Sequence, residues 1–225
     1  MNYSFLLPDH ESVIDLQAYL QRAKRLDPDG LVRLRAFGRV LACYVAPIYA
    51  GSLMDAGPTI LGLRTLELAA DAELDAVVPI SSVLDRLARI NDPDALGKQS
   101  LTVVLPETQR VSWAGIAPPR SGWVAAGSIS EAKLTAVAKD GIAEVAATIP
   151  TSVGGPIAAR IRGEIWGRAI DLDSQVPTGA AFVAAGLGFL TEAEEVGVYR
   201  SDGWVRLSAH HGHVLAKVSS LPFSR

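Results

Sequence analysis

Residues 196–218 read VGVYRSDGWVRLSAHHGHVLAKV, and the fold class turns on them. Three runs of strand length lie in this stretch, at 196–200, 204–209 and 213–218. Asp202-Gly203 between the first two is a two-residue hairpin signal, because both positions of such a turn need positive φ. Gly212, beside His210, His211 and His213, is read as the flexible residue of the second turn. Three strands in succession form an antiparallel meander. The strand–helix alternation of a parallel sheet is absent here.

Upstream of the meander the periodicity becomes helical. Residues 179–190, GAAFVAAGLGFL, carry no charge and no amide or hydroxyl side chain, which reads as a helix buried on every side. Pro156 suits the first turn of a helix running to 168. Ser128 and Glu131 have the spacing of a capping box. Leu134, Val137, Ala138, Gly141, Ile142 and Val145 then form an apolar stripe. Residues 115–127 hold Pro118, Pro119, Gly122 and Gly127, the strongest linker signal in the chain.

Further upstream, a helix is expected over 11–26 with Val13, Leu16, Leu20 and Ala23 on one face, closed by Pro28. Strands follow at 31–37 and 39–48, with Gly38 turning the chain between them. Two more are expected at 59–68 and 75–80, then a helix over 83–90 capped by Ser82, then a hairpin from 101–105 and 109–113. The expected fold is α+β: a mostly antiparallel N-terminal sheet with one or two helices, a helical segment, and a C-terminal β-meander. The expected domains are 1–125 and 126–225.

Composition bounds the function. Among 225 residues, 49% are hydrophobic and 20% charged, which supplies a packed core and excludes a mostly disordered chain. The net charge of −3 excludes a globally basic nucleic-acid binder. Residues 151–225 hold seven basic and seven acidic side chains, and the 179–190 helix offers nothing polar to a groove. No nucleic-acid partner is therefore expected. The apolar run Phe5-Leu6-Leu7 is too short for a signal peptide, and no stretch has the apolar density of a membrane span. A soluble, cytoplasmic protein without a membrane partner is expected.

The chemistry-bearing motifs are few. His210, His211 and His213 form the string HHGH, and imidazole is a common metal ligand. No HEXXH motif or second histidine cluster accompanies them, so they are read as hairpin residues, mostly exposed, without metal. A helix start after Gly154 and Gly155, with Arg160 in the following turns, is a candidate anion site, although Pro156 removes one amide donor. Cys43 lies mid-strand and is read as a buried small hydrophobe. The chain lacks GXSXG, a P-loop, a dinucleotide-binding GXGXXG and CXXC, and no cofactor is expected. The four tryptophans, Trp113, Trp123, Trp166 and Trp204, are read as core or interface anchors.

The strings WAGIAPPRSGW (113–123), GIAEVAATIP (141–150), AAFVAAGLGFL (180–190) and GWVRLSAHHGHVL (203–215) resemble an uncharacterised family of actinobacterial hypothetical proteins. The resemblance covers the second half of the chain most closely. It implies a bacterial cytoplasmic setting and carries over no catalytic residue or cofactor. With titratable groups scattered and no nucleophile motif, the expected function is a non-catalytic interaction or structural protein, homo-oligomeric. The alternative is a small-molecule binder or enzyme with a pocket between the two halves.

Overall fold

The computed structural model describes residues 3–50, 57–90, 101–149, 154–171, 175–191 and 194–217. The sequence also predicts loops at 91–100 and 150–155; the first, and residues 150–153 of the second, fall outside the described residues. The architecture is α+β with antiparallel strand pairing, as the sequence implies. The chain divides into two compact units: Met1–Pro47 with Leu63–Gly115, and Ile48–Gly62 with Ile116–Arg225.

The first unit begins with β1 (Ser4–Leu6) and α1 (His10–Leu26). Asp9 caps α1 by accepting from the Ser12 amide at 2.7 Å, and that bond holds the Asp9 carboxyl below its ordinary pKa. Val13, Leu16, Tyr19, Leu20 and Ala23 bury one stripe of the helix. The long strands β2 (Leu31–Ile48) and β3 (Thr59–Pro79) follow, then α2 (Ile80–Ile90) and β4 (Thr102–Val104). Strand β4 pairs antiparallel with β1, matching Phe5 to Val103, and α1 packs on α2.

Four local expectations in this unit are corrected. Gly38 does not turn the chain. It takes φ +57° within the single strand β2 and shifts the buried parity from Val32, Leu34 and Ala36 to Leu41, Cys43 and Val45. That one-residue slip is the mark of a bulge, and it leaves Phe37 78% exposed. The third and fourth expected strands are one strand, because pairing with β2 carries the poor strand formers Ala69–Glu73 through. Helix α2 starts at Ile80, whose amide donates to the Gly30 carbonyl at 3.1 Å, so Ser82 is inside the helix and not its cap. The expected 101–113 hairpin does not form. Residues Ser112–Gly115 are a 3-10 turn that buries Trp113.

The second unit holds β5 (Val124–Ser130), α3 (Glu131–Thr148), α4 (Gly155–Gly167), α5 (Thr178–Gly186), β6 (Glu195–Ser201), β7 (Trp204–Ala209) and β8 (Gly212–Lys217). The strand order of the six-stranded sheet is β2-β3-β8-β7-β6-β5. Strand β5 runs through Ser128, so the N-cap of α3 is Ser130, which accepts from the Lys133 amide at 3.3 Å. Gly127, at φ +112°, sits in the bulge where β5 shifts register against β6.

Helix α5 is buried, as its uncharged sequence implies, and packs on α3 and β8. It ends at Gly186, short of Leu190, because Gly188 takes φ +70° and the Phe189 amide returns to the Ala184 carbonyl at 2.9 Å. Small residues permit its close packing. A Cβ on Gly179 would stand 2.6 Å from Ile60 Cδ1 and 3.0 Å from Trp166 Cβ. Trp166 in turn stacks on Phe182 with ring centroids 4.7 Å apart.

Candidate interaction site

The meander positions the side chains of interest. Cross-strand partners share a face of a sheet, as do residues two apart along a strand. Val198, Leu207 and Val214 are in register, and with Val196, Val205 and Ala216 they form the buried face. The opposite face carries two further rows: Tyr199, Arg206 and Leu215, then Gly197, Ser208 and His213.

Arg206 is the centre of that second face. Its Cζ lies over the Tyr199 ring at 4.5 Å from the centroid and over the Trp123 ring at 4.7 Å. Both distances are within the range of a cation–π contact. Trp123 is held in place by its indole N–H, which donates to the Pro119 carbonyl at 3.1 Å. Tyr199 lies along its own strand over Gly197, where a Cβ would stand 2.9 Å from Tyr199 Cε2. Desolvation lowers the Arg206 pKa, with Tyr199 opposing it. His213 Nδ1 and Ser208 Oγ are 3.1 Å apart, and burial followed by the charge of Arg206 holds the imidazole below its ordinary pKa.

A surface depression of about 420 Å³ lies at the end of the β6–β7 hairpin, lined by Gly122, Val124, Gln175, Arg200, Asp202 and Trp204 among others. Gln175 at φ +52° and Asp202 at φ +41° are the two left-handed non-glycine residues among the described residues, and both line it. Asp202 is explained by the hairpin turn it makes with Gly203. Gln175 lies in the loop between the paired residues Ala169 and Pro177, where its amide donates to the Asp171 carbonyl at 3.4 Å.

The residues singled out from sequence are placed as follows. His210 and His211 form the turn between β7 and β8, and Gly212 is the first residue of β8, paired with Ala209. Gly212 does not take positive φ. It is glycine because a Cβ there would stand 2.5 Å from the Phe189 ring. His210 is exposed, while His211 and His213 are half-buried, so the cluster is less open than expected. His210 and His211 meet edge to face at 4.9 Å. Among the described residues no group of three potential ligands converges on a metal position.

Gly154 and Gly155 are exposed at the start of α4, and the Gly154 carbonyl accepts from Ile157 and Ala158. Arg160 pairs with Glu164 at 2.9 Å. Cys43 is fully buried. Arg206 and Tyr199 were not among the residues singled out. The alternation of Trp204, Arg206 and Ser208 along β7 was the available signal. Among the described residues no helix is long and apolar enough to cross a membrane.

Residues 1–108 match the family described as Domain of unknown function (DUF8010), and residues 118–221 match Domain of unknown function (DUF8185). Both halves therefore match uncharacterised domain families. No curated protein matches the chain in sequence. Solved structures similar to it include DNA polymerase sliding clamps. One, from Pseudomonas aeruginosa with a ligand, is 14% identical with a TM-score of 0.50, over 98% of this chain and 66% of that one. Caulobacter crescentus pol III beta is 13% identical with a TM-score of 0.51, over 99% of this chain and 66% of that one. The C. crescentus DNA polymerase sliding clamp is 14% identical with a TM-score of 0.51, over 100% and 67%. The chain spans about two thirds of the length of these structures. At this identity the likeness is one of fold.

Proposed function

We propose that the chain is a non-catalytic interaction protein that works as a homo-oligomer in the cytoplasm. The observation that supports this reading best is the clamp-like fold over 98–100% of the chain, since two of the similar structures are named as DNA polymerase sliding clamps. The edges of the sheet give association a physical route. Strands β2 and β5 end the strand order, and an edge strand can present backbone donors and acceptors to a partner. Val124 on β5 is 69% exposed, and Phe37 and Val40 on β2 are exposed too. Pairing of β5 from one copy with β2 of another joins two different surfaces, which closes a ring or extends a filament. Native mass spectrometry of the full chain tests the reading. Multiples of 23.8 kDa are expected, and a monomer alone contradicts it.

The reading includes no nucleic-acid partner, because phosphate contact needs a surplus of Lys and Arg and the net charge is −3. The likeness to polymerase clamps makes this worth measuring. A fluorescent DNA duplex at about 50 mM salt is expected to remain unbound, and salt-sensitive binding would replace this part of the reading.

A second reading, small-molecule binding, is favoured by the 420 Å³ depression at Gln175 and Trp204. A thermal-shift screen against metabolites tests it. A ligand at 100 times its Kd stabilises by about 2.7 kcal/mol.

A further inference from the structure

We infer that Arg206 is the anchor of an oxyanion site on the face of β6, β7 and β8 that carries Tyr199 and Ser208, taking the carboxylate or phosphate group of a ligand or partner. The inference rests on the local geometry and stands whether or not copies of the chain associate.

The first support is preorganisation. Gly197 lets the Tyr199 ring lie down along β6, and the register sets Arg206 directly across from Tyr199. Trp123, fixed through Pro119, supplies a second ring. Both rings lie within cation–π distance of the guanidinium carbon, which displaces water from around it. A guanidinium bound through its π-faces keeps its full charge, and its N–H donors lie in the plane. Its terminal N–H groups can meet two oxygens of one carboxylate or phosphate.

The second support is an unmet demand. Arg206 Nε is buried and has no hydrogen-bond partner among the described residues. Several other arginines of the chain have carboxylates: Arg33 and Arg35 have Asp75, Arg64 has Asp15 and Arg168 has Glu144. Arg206 has no ion pair among the described residues. A buried donor without an acceptor is uncommon enough to require a missing water or ion as its explanation.

The third support is the local field. No Asp or Glu occurs from Trp204 to Lys217, and the register puts Lys217 on the same face as Arg206. Ser208 and His213 lie on that face as further polar groups. On these strands the face carries Arg206 and Lys217 against Glu195 of β6.

Titration of the ¹⁵N-labelled full chain tests the site, with the Trp123 indole N–H signal as readout because that ring touches the guanidinium. Inorganic phosphate and sodium acetate are the probes, and sodium chloride at equal ionic strength is the control. A saturable shift with phosphate, acetate or both is expected, and which anion gives it distinguishes the two sources. Arg206→Lys keeps the charge and loses the fork, so binding should weaken about tenfold. Arg206→Met should abolish it. If the Met variant does not fold, Arg206→Lys carries the test. A shift that does not saturate, that chloride reproduces, or that Arg206→Lys leaves unchanged would overturn the inference.

Discussion

The hydroxyl of Tyr19, buried on α1, donates to the backbone carbonyl of Cys43 on β2 at 3.1 Å. The bond ties the first helix to the strand beneath it. A net contribution of about 1 kcal/mol is expected for such a bond. Tyr19→Phe should therefore lower stability in urea by about 1 kcal/mol without changing the m-value. No measurable change would mean that the carbonyl is satisfied without the hydroxyl.

The same burial fixes an alkaline response. Desolvation raises the pKa of Tyr19 well above 10.0 and raises that of Cys43 above 9.0. Both groups ionise in the unfolded chain before they ionise in the folded one. Their contribution is complete below those ordinary values and is lost as pH rises past them. Cys43 should accordingly resist a thiol reagent in the native protein at neutral pH and react once the chain is denatured. Fast native labelling would contradict its burial.

His213 works in the other direction. Burial and the charge of Arg206 depress its pKa below 6.5, so the unfolded chain takes up the proton first. Its contribution to stability is present above 6.5 and is lost as pH falls below that value. Thermal unfolding followed between neutral and mildly acid pH should show a decline that His213→Gln reduces. An unchanged decline in the variant would assign it to other groups.

Glu131 is buried at the start of α3, where one carboxylate oxygen accepts from the Thr191 amide at 2.6 Å and from its hydroxyl at 2.9 Å. Glu131→Ala removes the acceptor of both bonds and should cost about 1–3 kcal/mol. Gly141 faces the Trp166 ring, and a Cβ there would overlap ring atoms Cζ3 and Cη2. Trp166 is buried and stacked on Phe182, so it has little room to yield. Gly141→Ala should cost about 1–3 kcal/mol despite its better helix propensity. A loss under about 0.5 kcal/mol for either variant would contradict the packing described.

Local pattern made much of this fold legible. Helix α1 announced itself by its apolar stripe, α5 by its lack of polar side chains, and the meander by its alternation and Asp202-Gly203. What sequence misread depended on partners distant in the chain. Gly38 looked like a turn because nothing local shows that β2 continues past it. Residues 101–105 looked like half of a hairpin because their partner, β1, lies at the other end of the unit. Gly212 was assigned to φ and belongs to packing, since Phe189 comes from a different element. The Arg206 stack was hidden for the same reason: Trp123 precedes β5, while Tyr199 and Arg206 meet only through strand register.

Sedimentation equilibrium of the full chain over a wide concentration range, beside Val124→Lys, tests the central claim most directly. A charge on an edge strand opposes edge-to-edge pairing, and exposed Val124 should tolerate the change. The account predicts a wild-type mass that is a whole multiple of 23.8 kDa and a variant that shifts toward 23.8 kDa. A wild-type mass of 23.8 kDa at every concentration would contradict it.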